Sequence, residues 1–109
     1  MIISFRSKEL RDNTINEFLG MQNLSPNTLD LLKFILVSLN AASSLQDLPN
    51  LIKVKLNYFN ENIRIDDFNN LDLHFKNAHL NVPKTSDDII DWNKVSRLQL
   101  VFVGEKHAS

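Results

Sequence analysis

The spacing of apolar residues changes near the middle of this 109-residue chain. Before the change, Leu29, Leu32, Phe34, Ile35, Leu36 and Leu39 recur at helical intervals; after it, Ile52, Val54, Leu56 and Tyr58 fall at every second position. These are the periods of a helix and of a half-buried strand, so helices are expected first and strands afterwards. Helices followed by a run of strands predict an α+β domain, and a chain of this length has room for one core. With 43% apolar and 23% charged residues, two glycines and three prolines, the composition excludes disorder and collagen-like structure. The absence of cysteine removes disulfides, thiolate metal sites and a cysteine nucleophile, and fits a reducing compartment.

Local signals divide the chain further. Ile2-Ile3-Ser4-Phe5 reads as a short strand, and Ser7 as the cap of a helix over about residues 8–19, ended by Gly20. Ser25 and Pro26 open the longest helix, whose wide apolar face is expected at the centre of the core. Ser44 and Asp47 have the spacing of a capping box ahead of Pro49, read as a stop. From Leu51 the alternation predicts a strand with Ile52, Val54, Leu56 and Tyr58 on one face and Lys53, Lys55 and Asn57 on the other. Asn60-Glu61-Asn62 is expected to turn this strand into Ile63-Arg64-Ile65. The polar stretch 66–70 then turns into Leu71-Asp72-Leu73-His74-Phe75, giving a β-meander. Thr85 and Asp88 leave a short helix or a loop open, and Arg97–Val103 reads as a covered final strand before a polar tail from Gly104 to Ser109.

Twelve basic against 13 acidic residues give a formal charge of −1, so general affinity for nucleic acid or anionic lipid is excluded and any such partner needs a local patch. The longest apolar run, Phe34-Ile35-Leu36-Val37, is far short of a bilayer span, and the start lacks the basic and apolar regions of a leader. A mature cytosolic protein is the expectation.

Two segments together resemble the HigB-like toxins, the plasmid-maintenance killer proteins of the RelE/ParE superfamily. Met1-Ile2-Ile3-Ser4-Phe5-Arg6-Ser7-Lys8 is similar to the family's Met-Ile-x-Ser-Phe opening. Leu39-Asn40-Ala41-Ala42-Ser43-Ser44-Leu45-Gln46-Asp47-Leu48 is similar to its Leu-Asx-Ala-Ala helix end followed by Ser-Leu-x-Asp-Leu and a proline. The resemblance implies one toxin-like domain over residues 1–109, with a short N-terminal strand and two helices packed on an antiparallel sheet. It also implies the toxin of a type II toxin–antitoxin system, a ribosome-dependent messenger-RNA endonuclease inhibiting translation. Its partners would be a cognate antitoxin protein, the ribosome and messenger RNA, without a cofactor or a membrane. The second half departs from the pattern. Ile63-Arg64-Ile65-Asp66-Asp67-Phe68 echoes the family's Ile-Arg-Ile motif without its Trp-Arg step, and Arg97-Leu98-Gln99-Leu100-Val101-Phe102 reads as an Arg-bearing strand displaced by an insertion. Where the family often ends in Asp-Tyr-His, only His107 stands near the end.

Cleaving RNA through its 2′-hydroxyl needs a proton acceptor, a proton donor and cations for the charged phosphorane. Arg97 and His107 are the catalytic candidates, and Lys53, Lys55 and Arg64 the RNA-binding candidates. Each also has a plainer reading. Lys53 and Lys55 suit a solvated strand face, Arg64 a surface pairing with Glu61, Asp66 or Asp67, Arg97 a charge at a strand rim, and His107 a disordered tail. His74 and His79 match no standard zinc spacing, and Asp66, Asp67, Asp87, Asp88 and Asp91 suit turns and helix starts, so no metal is expected. Trp92 and Phe68 are candidates to stack on bases or to pack into a core. Two further functions stay open: a non-catalytic protein-binding module or inhibitor on a similar scaffold, using Tyr58, Phe59 and Trp92, and a gyrase-directed ParE-like toxin.

Overall fold

The computed structural model describes residues 1–15 and 25–105. Strand β1 (Ile2–Phe5) leads into helix α1 (Lys8–Ile15), and the chain continues through the long helix α2 (Pro26–Ala41), a 3-10 turn at Leu45–Asp47 and a single helical turn, α3 (Asn50–Lys53). Strands β2 (Leu56–Tyr58), β3 (Asn62–Phe68) and β4 (Leu71–Asn77) follow, then a 3-10 turn at Trp92–Lys94 and the last strand, β5 (Arg97–Glu105). The fold is α+β. The strands form one sheet in the order β1-β5-β4-β3-β2. β2 to β5 pair antiparallel, but β1 lies parallel to β5, so the sheet is mixed where an antiparallel one was expected. The two strands are separated by all the other elements, so no hairpin fixes their relative sense.

Ser7 caps α1 by accepting the Leu10 N–H, as its position suggested; Phe18, Leu19 and Gly20 lie outside the described residues. Ser25 caps α2 by accepting the Thr28 N–H, and Pro26 fills the first turn, where a missing N–H costs nothing. α2 then buries Leu29, Leu32, Ile35 and Leu39 against Ile63, Ile65, Leu71, Leu73, Phe75, Leu98 and Leu100 of the sheet. Each such side chain is worth about 1.5–3 kcal/mol of transfer free energy, so this contact is the main source of stability. The far end of α2 is closed by the Met1 ammonium, which donates to the carbonyls of Leu39, Asn40 and Ala42. A cation there suits the negative end of the helix dipole.

Several local expectations change. Ser44 makes no side-chain cap, and its carbonyl accepts the Asp47 N–H instead of a capping box forming. The 3-10 turn is C-capped at Leu48, so Pro49 follows it as a stop, but Pro49 also starts a new helical turn, its carbonyl accepting the N–H groups of Ile52 and Lys53. Residues 50–53 are therefore helical rather than extended. Ile52 is buried while Val54 is 75% exposed, so the expected apolar strand face through Ile52 and Val54 does not exist. β3 runs on to Phe68, which is core rather than a stacking platform, and the reversal is confined to Asn69-Asn70. Both asparagines have positive φ, 49° and 73°, as a type I′ hairpin turn requires. Residues 84–90 form a loop closed by a Lys84–Ile90 bridge, with no helix. No helix among the described residues is long and apolar enough to cross a membrane.

Candidate nucleic-acid interface

Period two gives the sheet two unlike faces. Ile63 and Ile65 of β3, Leu71, Leu73 and Phe75 of β4, and Leu98 and Leu100 of β5 point to α2. Their neighbours Arg64, Asp66, Asp72, His74, Lys76, Arg97 and Gln99 therefore occupy the opposite face, which lies away from the buried contact with α2. Cross-strand register sorts this face into rows: Asn57, Arg64, His74 and Phe102 form one, and Asn62, Lys76, Gln99 and Ser4 the next.

Phe102 reaches this face because Val101 has no register partner: His74 pairs with Phe102 while Phe75 pairs with Leu100. One inserted residue reverses the alternation for the rest of β5. The Phe102 ring lies on His74, with centroids 4.7 Å apart. Gly104 makes room for it, since a Cβ there would stand 2.6 Å from Phe102 Cζ. Arg64 places its guanidinium carbon 4.6 Å from the centroid of the Phe59 ring and makes no ion pair among the described residues, so the expected pairing with nearby acids is absent. Asp66 instead accepts from the Asn57 amide, and Asp72 from the Asp67 N–H. Burial and the Arg64 charge lower the His74 pKa below 6.5, against the opposite pull of Asp66 and Asp72. The imidazole is neutral at pH 7 and able to accept a proton.

The sequence candidates fall in three places. Arg64 and Arg97 share the open face, but with β4 between them and four residues of stagger they are about 16 Å apart, too far to grip one phosphate. Lys53 is drawn to the helical side, where Nζ donates to the Gln46 carbonyl at 3.1 Å, so it shares no strand face with Lys55. Lys55 is exposed just before β2, its carbonyl accepting the Asp66 N–H. His107 lies outside the described residues. His74, Lys76 and Phe102 are not among the RNA-binding or catalytic candidates of the sequence, His74 being weighed there only as a metal ligand, and Phe59 is a candidate there only for protein binding. Alternation of Asp72, His74 and Lys76 against Leu71, Leu73 and Phe75 was a legible signal for the first two, whereas Phe102 depends on an inserted residue that no pattern announces. Among the described residues no three His, Asp or Glu side chains converge on a metal position, and His79 Nε2 is occupied by the Ser96 N–H. No protein-family model matches the sequence, and no curated protein or solved structure is significantly similar to it.

Proposed function

We propose that this chain is the toxin of a type II toxin–antitoxin pair, of the HigB-like kind, and that the sheet face opposite α2 contacts messenger RNA in the ribosome. The observation that carries this reading is the row Arg64-His74-Phe102: a guanidinium without an ion-pair partner among the described residues, beside a neutral imidazole and an exposed ring. In this reading His74 takes the proton of the 2′-hydroxyl, the 2′-oxygen bonds to phosphorus, the bond from phosphorus to the 5′-oxygen breaks, and that oxygen takes a proton from water. Arg64 holds the phosphoryl oxygens, and Lys76 and Arg97 hold neighbouring phosphates. The formal charge of −1 gives the chain no general attraction for RNA and counts against this reading, so the patch alone has to supply the attraction. The likeness of the two first-half segments, Met1–Lys8 and Leu39–Leu48, to the family supports the same assignment.

A second reading has its own observation. Phe34 and Val37 stand 41% and 66% exposed one turn apart on α2, where an antitoxin would bind, or where a non-catalytic binding module would meet its partner. Induced expression in a bacterial host separates the readings, with labelled-amino-acid incorporation and transcript ends followed beside Arg64→Ala and His74→Asn. Arrest with ribosome-dependent cuts that both folded variants lose supports the nuclease. Arrest with intact transcripts points to gyrase, and normal growth with soluble folded protein points to the binding module.

A further inference from the structure

A groove of about 940 Å³ opens beside the candidate face, between the β2–β3 turn and the connection from β4 to β5. Tyr58, Phe59, Lys76, Asn77, Ile90 and Trp92 help to line it. Phe59 also carries the Arg64 guanidinium, and Lys76 is the diagonal cross-strand neighbour of Arg64, so groove and sheet face are continuous. The groove wall comes from residues 78–96, far more chain than an antiparallel hairpin needs.

Three features give the groove a chemical character. Tyr58 and Trp92 place their rings 5.8 Å apart at 54°, an apolar flank for a flat group. Lys84 is paired with Asp88 at 3.5 Å, whereas Lys76 has no ion pair among the described residues and remains available to an anion. Asn77 carries the third. Its Oδ1 accepts the His79 N–H at 2.8 Å, which fixes the orientation of the amide, and its Nδ2 is buried without a hydrogen-bond partner. Native folds leave few such donors, because each forfeits its hydration for nothing.

We propose that this groove is a base subsite: it takes the base of one single-stranded RNA nucleotide whose phosphate lies on Lys76 and Arg64. The inference rests on the RNA reading above and names what that surface holds. Stacking accepts any base, since each has a π-face, so the subsite holds a base by its face rather than by reading its edge.

Trp92 is the only tryptophan, so its fluorescence reports on the groove. Uridine monophosphate, ribose 5-phosphate and a short oligouridylate are titrated into the full chain, and into Tyr58→Ala, Asn77→Asp and Arg64→Ala checked for folding by circular dichroism. Both base-containing probes should change the Trp92 emission while ribose 5-phosphate does not, and the oligonucleotide should bind more tightly than the monophosphate. Tyr58→Ala should weaken binding about tenfold, the usual effect of removing one stacking ring. Asn77→Asp keeps the acceptor for the His79 N–H and adds a negative charge to the groove wall, so it should weaken binding of both base-containing probes, which carry phosphate, as well. Arg64→Ala should weaken the oligonucleotide more than the monophosphate. An oligonucleotide that binds with Trp92 silent and Tyr58→Ala unaffected overturns the base subsite while leaving RNA binding standing. A ribose 5-phosphate response equal to that of the nucleotide reduces the groove to a phosphate site. Equal affinity for monophosphate and oligonucleotide makes it a free-nucleotide site, and no oligonucleotide binding at all removes both readings.

Discussion

Glu105 supports a quantitative prediction about how the two halves of the fold are held together. At the end of β5 its carboxylate accepts the Ser25 N–H at 3.1 Å and the hydroxyls of Ser25 and Thr28, so it sits on the N-terminus of α2. Thr28 is only 3% exposed, while Ser25 is exposed. In Glu105→Ala water replaces the bonds to Ser25, while the Thr28 hydroxyl exchanges a carboxylate partner for the Ser25 hydroxyl alone, 2.9 Å away, at about 1–1.5 kcal/mol. Removing a negative charge from a helix N-terminus adds about 0.3–1 kcal/mol. The expected loss is about 1.5–2.5 kcal/mol, or a fall in Tm of about 10 °C for a domain of this size. Urea unfolding of Glu105→Ala, Thr28→Val and the double variant measures it. The cycle should give a coupling of about 1–2 kcal/mol, because removing the hydroxyl removes most of the penalty for removing the carboxylate. A Glu105→Ala loss below about 0.5 kcal/mol, additive with Thr28→Val, would refute the idea that this contact is a buried cap rather than a surface approach.

Three further outcomes follow from the same geometry. Gly104→Ala should push the Phe102 ring off His74 with little change in stability, since the obstructing atom is the far end of a movable side chain; loss of the ring-current shift on the His74 protons reads this directly. The His74 pKa is lowered in the fold, so the unfolded chain binds more protons as the pH falls through 6.5. Stability from this group is therefore complete above that value and declines below it, and His74→Asn should flatten that part of the pH–stability curve; a slope unchanged by the substitution assigns it to other groups. Ile52→Ala should cost about 2–5 kcal/mol and Val54→Ala less than about 0.5 kcal/mol, whereas a strand with both side chains inward would make the two comparable.

Much of the fold was legible because its signals were local. Ser25 before Pro26, the i, i+3 spacing of Leu29 and Leu32, and the alternation of Ile63 with Ile65 each specify a conformation within a few residues. The segment after Pro49 misled because Ile52 and Leu56 lie four apart, a spacing that a helical turn and a strand both satisfy. Only Val54 distinguishes them, by being exposed. The parallel placement of β1 and the site itself depend on long-range pairing. Arg64 beside His74 is legible once β3 and β4 form a hairpin, but Phe59 under Arg64 and the orphaned Asn77 amide need the closed structure.

Val101 connects the stability argument to the site. If the alternation set by Leu98 and Leu100 continued unbroken, Phe102 would enter the core and Glu105 would turn away from α2. The inserted residue instead lays Phe102 on His74 and carries Glu105 to Ser25 and Thr28. Deleting Val101 tests this directly, because Phe102 then follows Leu100 at once and plain alternation keeps Phe102 on the open face and Glu105 on the α2 side. The shortened strand should still pair Phe102 with His74 and Leu100 with Phe75, so the ring contact and the Glu105 cap should both survive. Replacing Val101 by Ala keeps the inserted residue and should preserve both contacts as well, at the cost of one half-buried side chain. Unfolding curves and the Phe102 ring-current shift on His74 follow both variants. Loss of the ring-current shift in the deletion variant, with a fall in stability of the size expected for the missing cap, would refute the assignment of Val101 as the one extra residue that orients the candidate face.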